Sequence, residues 1–450
     1  MRKTDVLVVG GSAAGIVTAL TGKSHYPDKD FLVVRKEKTV VVPCGIPYIF
    51  GSLDSSDQNV IPDAKLSNAG VDLIVDEVTK INPDKKSCET AGGQEIGYEK
   101  LVLAIGSNPV VPGWLKGADL ENVFSVPKNK AYLDDVFDKV ADKEKIVIIG
   151  GGFIGVEFAD EMNKQGKDVT VVELLPHVLA SVFDEELAIK AEEALIARGV
   201  KIEAGSGVQA LHGNGSVSSV TLQNGKELSA DAVILSMGYQ PNSQLAQEAG
   251  LDVNKFGFIK VDQYMRTEME DVFAVGDCAE KRDFITNKVI CTMLASTACA
   301  EARITGMNLY QLEAVRTFGG TISNFATGFG DHSFGVAGVT ECTAREEGFN
   351  VVTADFEGVD HHPGKLPGTH KQGVKLVVAQ DSGIILGGSV YGGCSTGELV
   401  NVIGLAIQNR MTVNSVLTTQ IGTHPVLTAP PTAYPFIKAA EKALMKIRKA

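Results

Sequence analysis

The chain of 450 residues is long enough for roughly three domains of ordinary size, each with its own core. Its 42 Lys plus Arg against 55 Asp plus Glu, a net charge of -13, disfavour nucleic acid or an anionic membrane surface as general partner. Seven cysteines with no Cys-x-x-Cys pair in so long a chain exclude a secreted disulfide scaffold and a zinc module, so no metal site is expected and a reducing cytoplasm fits best.

Met1-Arg2-Lys3 before an apolar run superficially resembles a signal peptide, but Asp5 and the Gly10-Gly11 pair argue against it. Runs of about 18 uninterrupted apolar residues are absent, so a soluble chain without a spanning helix is expected. The first residues read instead as a strand over 5–9, a glycine turn Gly10-Gly11-Ser12-Ala13-Ala14-Gly15, and a small-residue helix over 13–20. Ser12 stands where the dinucleotide fingerprint has its middle glycine. Backbone N–H groups and the helix N-terminus in such a turn favour a pyrophosphate. A second strand, 31–34, follows. The acid expected about 20 residues past the last glycine is replaced by Arg35, with Glu37 just beyond. Either Glu37 contacts the ribose there or the adenosine is held mostly by backbone.

The segment from Tyr98 to Ser107 reads as a buried strand entering a glycine turn at Ala104-Ile105-Gly106. After the apolar strand 145–149 comes a complete second fingerprint, Gly150-Gly151-Gly152-Phe153-Ile154-Gly155-Val156-Glu157. The following strand, 168–172, ends in Glu173, at the distance where an acid hydrogen-bonds a ribose 2′-hydroxyl. This favours NADH, with NADPH left open. Acids at the start of 183–198 and Gly199 after it mark a helix of the same unit. A buried strand from Thr267 ends in Gly276-Asp277.

These segments, in this order and across essentially the whole chain, resemble the pyridine nucleotide-disulfide oxidoreductase superfamily. The resemblance implies an α/β fold: two Rossmann-like domains for FAD and NAD, and a C-terminal α+β dimerisation domain. The implied boundaries are 1–110 and 245–320 for the FAD domain, 111–244 for the NAD domain and 321–450 for the last. It places FAD on Gly10, Ser12, Ala13, Ala14, Gly15, Arg35 or Glu37, Pro43, Ala104, Gly106, Asp277 at the ribityl chain, and Ala295 and Thr297. It places NAD on Gly150, Gly152, Phe153, Ile154, Gly155, Glu157, Glu173 and Gly238, the last in the return crossing Met237-Gly238-Tyr239-Gln240-Pro241-Asn242.

Within the superfamily, Val42-Pro43-Cys44-Gly45-Ile46-Pro47-Tyr48 resembles the single-cysteine branch of coenzyme A-disulfide reductases, persulfide or polysulfide reductases and NADH oxidases or peroxidases. The paired-cysteine branch has its second thiol where this chain has Ile49. Cys44 is therefore the expected redox thiol, with a pKa lowered by a helix start and the flavin. Ala13 stands where oxidases and peroxidases carry histidine, which weighs toward a disulfide, persulfide or polysulfide substrate. The alternatives are an oxygen- or peroxide-reducing enzyme and an NADH-sensing flavoprotein. The resemblance further implies a homodimer with shared active sites. His361, His362, His424 and Tyr434 stand near the tyrosines that coenzyme A-disulfide reductases supply from that domain. His362, His424 and Tyr434 are the candidate proton donors; His361 reads as a turn residue. Lys23, His25 and Lys65 are candidates for coenzyme A phosphates. Cys394 reads as a small buried residue, a second thiol being the alternative, and Cys88, Cys278, Cys291, Cys299 and Cys342 read as packing.

Overall fold

A computed structural model describes residues 2–313 and 317–449. The first sheet has seven strands. Phe31–Arg35 and Glu95–Leu103 flank Arg2–Val9 in parallel, Asp72–Val75 extends one edge, and Ser87–Thr90 with Val78–Asn82 the other. The seventh strand, Val272–Ala274, comes from far along the chain and pairs with Leu101–Leu103. Its central strands are runs rich in Val and Leu, and Val6, Leu7, Val8, Leu32, Val33, Leu101 and Val102 are fully buried. Helices Ala13–His25 and Ala295–Met307 pack together beside this sheet.

The second nucleotide fold is a five-stranded parallel sheet in the order Lys201–Glu203, Asp168–Val172, Lys145–Ile149, Ala232–Leu235, Val123–Ser125. A three-stranded antiparallel sheet, Val208–Asn214, Ser216–Leu222 and Glu227–Ser229, packs on it. The helix expected over 183–198 runs Glu185–Ala197, with Glu185 and Glu186 in its first turn and Gly199 at φ +103° after it. Between the two folds the chain crosses twice, side by side. Ser107–Pro109 and Tyr239–Pro241 pair antiparallel, each entered through a glycine of positive φ, Gly106 at +70° and Gly238 at +91°.

The C-terminal unit is a five-stranded antiparallel sheet, Phe325–Phe329, His332–Gly338, Ile385–Gly392, Lys371–Ala379, Val351–Val359, packed against helices Thr396–Gln408 and Pro435–Ile447. Among the described residues no helix is long and apolar enough to cross a membrane.

Candidate functional site

In the first glycine turn, backbone crowding dictates the residue type. Gly10 has φ +110°, and a Cβ there would lie 2.1 Å from the Ala104 carbonyl oxygen. A Cβ on Gly15 would lie 1.9 Å from the Gly10 oxygen. Ser12 caps helix Ala13–His25 without a side-chain hydrogen bond, and the first turn holds no acid, so its N–H groups face an anion unopposed. Ala104 forms the floor beneath Gly10. This cradle fits an FAD pyrophosphate.

Arg35 departs from the expectation of a cofactor contact. Its side chain is buried under Gly11 and donates to both Asp63 carboxylate oxygens, at 2.6 and 2.8 Å, and to the carbonyls of Glu37 and Lys38 at 2.8 and 2.9 Å. It pins the loop after the strand. Glu37 is half-buried in that pinned loop.

The second turn repeats the geometry. Gly150 has φ +108° with a would-be Cβ 2.4 Å from the Ser236 carbonyl oxygen, and a Cβ on Gly155 would lie 1.9 Å from the Gly150 oxygen. Gly152 caps helix Phe153–Lys164 and is open on the side a Cβ would take. Glu173 closes the turn by accepting from the N–H groups of Gly151 at 2.6 Å and Leu175 at 2.8 Å. Phe153 stacks on Phe325 with centroids 5.0 Å apart, and Ile154 follows it at the head of the helix. These groups fit a dinucleotide.

Asp277 sits in a short turn, Gly276–Cys278, between the folds. Lys128 Nζ is 2.7 Å and Ser107 Oγ 2.8 Å from Asp277 Oδ2, and Lys128 also donates to Ser107 Oγ at 2.9 Å. Burial opposes the charge of Asp277, yet Lys128 and the Ser107 hydroxyl hold its carboxyl below the usual range. The Lys128 ammonium lies 5.3 Å from the ring centre of Tyr239, whose hydroxyl donates to Val126 O at 2.5 Å. Behind the turn is a buried pair absent from the sequence reading. Lys281 donates to the Gly276 and Ala279 carbonyls at 2.5 and 2.9 Å, while Glu301 accepts from Gly276 N–H at 2.7 Å and lies 3.7 Å from the ammonium. Both side chains are fully buried, and burial pushes Glu301 up to about 7. Ala295 begins the helix that carries Glu301, and Thr297 on it shares a 2.8 Å hydroxyl bond with Thr321.

Cys44 is exposed on the three-residue turn Pro43–Gly45, with the fully buried Ile49 in the next turn. The expected lowering of its pKa is not met by the protein groups around it. Desolvation raises the thiol, Glu157 and Asp277 raise it further, and Lys128 is the cation that opposes them. A single 3-10 turn lacks the length for an appreciable dipole. Glu157 is on the helix after the second glycine turn. Its carboxyl accepts from Thr327 Oγ1 at 2.9 Å, and burial, opposed by that bond and aided by Glu161, pushes it up to about 7. Tyr48, also facing Glu157, is pushed up to about 12, chiefly by burial.

The histidine-bearing segments of the C-terminal unit meet each other. His362 N–H donates to Pro425 O at 2.9 Å, its Nδ1 lies 3.1 Å from Thr428 O, and His424 is exposed on the same turn. His361 is more than a turn residue: its Nδ1 lies 2.7 Å from Asp360, which also faces His370. Tyr434 is buried in that unit's core, where desolvation raises its hydroxyl, so in this protomer it packs instead of reaching solvent. Lys23 donates to Pro27 O and Lys29 O, closing the turn after its helix, and His25 is paired with Glu313 at 2.8 Å. Neither is free for a phosphate, whereas Lys65 is exposed. Cys394 is exposed, against the expectation of burial, as are Cys291 and Cys342, while Cys88 and Cys278 are buried as packing residues.

Lys128, Ser107, Tyr239, Lys281, Glu301 and Thr327 escaped the sequence reading because each reaches its partner across the fold, with no spacing to signal it.

Comparison with known proteins agrees with this fold. Residues 4–302 match the family model described as pyridine nucleotide-disulphide oxidoreductase, and residues 325–434 match that family's dimerisation domain. An NADH oxidase from Methanocaldococcus jannaschii is 29% identical over 98% of this chain and 99% of its own length. An NAD(P)H coenzyme A polysulfide/persulfide reductase from Pyrococcus horikoshii is 32% identical over 87% of this chain and 88% of its own. The solved structure of an NAD-dependent persulfide reductase from A. fulgidus superposes with a TM-score of 0.91 at 28% identity, covering 99% of this chain and 84% of that one. With a match of this extent and both nucleotide turns intact, the chain belongs to the pyridine nucleotide-disulphide oxidoreductase family and is an NAD(P)H-dependent flavoprotein oxidoreductase.

Proposed function

We propose that the protein uses NADH to reduce the sulfur–sulfur bond of a disulfide, persulfide or polysulfide through Cys44. The observation that carries this reading is one exposed thiol facing Glu157, Lys128 and Asp277, with buried Ile49 where a second thiol would sit. With no cysteine at that position, the partner sulfur in this reading comes from the substrate. FAD, when bound, supplies two-electron transfer from the nicotinamide to sulfur. When FAD is bound, the turn of Gly10, Ser12, Ala13, Ala14 and Gly15 would hold its pyrophosphate, Glu37 or the backbone would hold its adenosine ribose, and Ala104, Gly106 and Asp277 would contribute to the rest of its site. The second turn, with Glu173, would hold NADH. Lys128 holds Asp277 ionised and draws the Cys44 thiol toward thiolate. Ala13, a methyl group in the first turn, offers no proton donor to oxygen or peroxide. Similar proteins named as a coenzyme A polysulfide/persulfide reductase and a persulfide reductase support the same substrate class. The dimerisation domain supports a homodimer, in which His362 and His424 stand on one surface turn as candidate donors from the C-terminal unit.

The test is anaerobic NADH oxidation by the FAD-loaded protein with coenzyme A disulfide, coenzyme A persulfide or polysulfide, compared with oxygen and peroxide. Sulfur-dependent turnover reduced at least about 10³-fold in Cys44→Ser supports the proposal. Turnover with oxygen or peroxide alone makes the protein an oxidase or peroxidase, the activity named for the M. jannaschii relative.

A further inference from the structure

The side chains of Lys281 and Glu301, behind the turn that carries Asp277, are fully buried and lie 3.7 Å apart. Charges sealed from water lose their hydration, and neutral side chains of similar volume often hold a fold as well or better. The pair is also incompletely satisfied. Glu301 Oε1 and, one turn further along the same helix, Thr305 Oγ1 have no hydrogen-bond partner among the described residues. Stability is therefore a poor reason for a lysine here, and its contacts supply a better one. Lys281 Nζ donates to the carbonyls of Gly276 at 2.5 Å and Ala279 at 2.9 Å, the residues that bracket Asp277 and Cys278. Glu301 accepts from the Gly276 N–H at 2.7 Å, so both polar groups of that residue are engaged from the buried side. From the opposite side Lys128 and Ser107 hold the Asp277 carboxylate at 2.7 and 2.8 Å. Gly276 has φ +76°, and a Cβ there would lie 2.9 Å from the Ala14 methyl group, so the turn rests on the start of the helix that follows the first glycine turn.

We propose that Lys281 is a positioning residue of the flavin site: it clamps the turn Gly276–Cys278 from behind, so that Asp277 meets FAD in a single orientation, with Glu301 anchoring the clamp. The inference rests on the placement of FAD at Asp277 and is independent of which substrate meets Cys44. Lys281 touches neither flavin nor substrate; it acts through the backbone on each side of Asp277. Phe258, itself buried, walls off the ammonium, whose nitrogen lies 5.7 Å from the ring centre. With the lysine enclosed in this way, the Gly276 and Ala279 carbonyls are its hydrogen-bond acceptors, and a neutral side chain in its place fills the space without gripping them.

The experiment follows FAD release from the loaded full-length protein by flavin fluorescence, in wild type, Glu301→Gln, Lys281→Met/Glu301→Gln and Asp277→Ala. The double variant removes both charges together and keeps an acceptor for the Gly276 N–H, so the flavin-free chain should melt within about 3 °C of flavin-free wild type. FAD should nevertheless leave it at least about 30-fold faster, the loss expected when hydrogen bonds from a charged donor are removed. The circular dichroism of its bound flavin should change as well. Glu301→Gln, which retains Lys281, should release FAD within about threefold of wild type with an unchanged flavin spectrum. A double variant that melts like wild type and takes up no FAD is the same result carried further. Where release and melting both change, the spectrum decides: an altered flavin band supports the clamp, and an unaltered one makes Lys281 a packing residue and overturns the proposal. Wild-type release from the double variant, or equally fast release from Glu301→Gln, overturns it too. If Asp277→Ala also releases FAD at the wild-type rate, the placement of the flavin at this turn is what fails.

Discussion

Lys128 Nζ stands 2.7 Å from Asp277 Oδ2, joining the entrance of the NAD fold to the turn that completes the FAD fold. Lys128→Met leaves a largely buried carboxylate without its cation and removes the group that opposes Glu157 and Asp277 at Cys44. The variant should lose about 1–3 kcal/mol of stability. Its Cys44 should be alkylated more slowly at neutral pH than the wild-type thiol, while Lys128→Arg retains most of the rate. Thermal midpoints and iodoacetamide kinetics across pH measure the two effects.

The two glycine turns are separable by mutation. Gly150→Ala drives a Cβ into the Ser236 carbonyl at positive φ and should abolish saturable NADH binding while flavin content stays unchanged. Gly10→Ala meets the Ala104 carbonyl and should give protein with little FAD. Absorbance of flavin released on denaturation, with NADH titration, distinguishes the outcomes.

Glu173 accepts from two backbone N–H groups and still faces the glycine turn with its remaining lone pairs. An acid in that place disfavours a 2′-phosphate. Glu173→Ala should raise KM for NADH by about tenfold and bring the NADPH to NADH ratio of kcat/KM upward by a similar factor. Steady-state kinetics with both nucleotides decide this.

The Lys281 and Glu301 pair gives a pH signature. The carboxyl of Glu301 is raised from an ordinary value near 4.5 to about 7, so its protonated form favours the fold. The contribution is greatest below about pH 4.5 and is lost as pH rises through about 7. Relative to Glu301→Gln, the wild-type thermal midpoint should therefore fall between these values. Lys281→Met leaves an unpaired ionised carboxyl inside the protein and should cost about 3–5 kcal/mol at pH 8, less at pH 5 where Glu301 is protonated.

What could be read from the sequence was local. Gly10 to Gly15 and Gly150 to Gly155 announce themselves because a turn, a helix start and a close backbone approach all fall within six residues, and the folds they predict are present. The strand 168–172 with Glu173 at its end is found as read. Long-range partners left no such trace. Nothing near Arg35 indicates that Asp63 will engage its guanidinium, and nothing near Lys128 indicates Asp277. Neither the burial of Tyr434 beside helix Pro435–Ile447 nor the exposure of Cys394, in a loop after its strand has ended, is marked in the local sequence.

The paired crossings at Ser107–Pro109 and Tyr239–Pro241 set an order on biosynthesis. The inner nucleotide fold is built from one uninterrupted stretch, whereas the outer sheet needs Val272–Ala274, and Ser107 waits 170 positions for Asp277. On the ribosome the inner unit therefore closes first, while Glu95–Leu103 emerges with part of one edge unpaired. Cofactor loading becomes a late event of translation, and a nascent chain stopped before Val272 presents an open parallel edge to its neighbours, a hazard of self-association that release of the last strand removes.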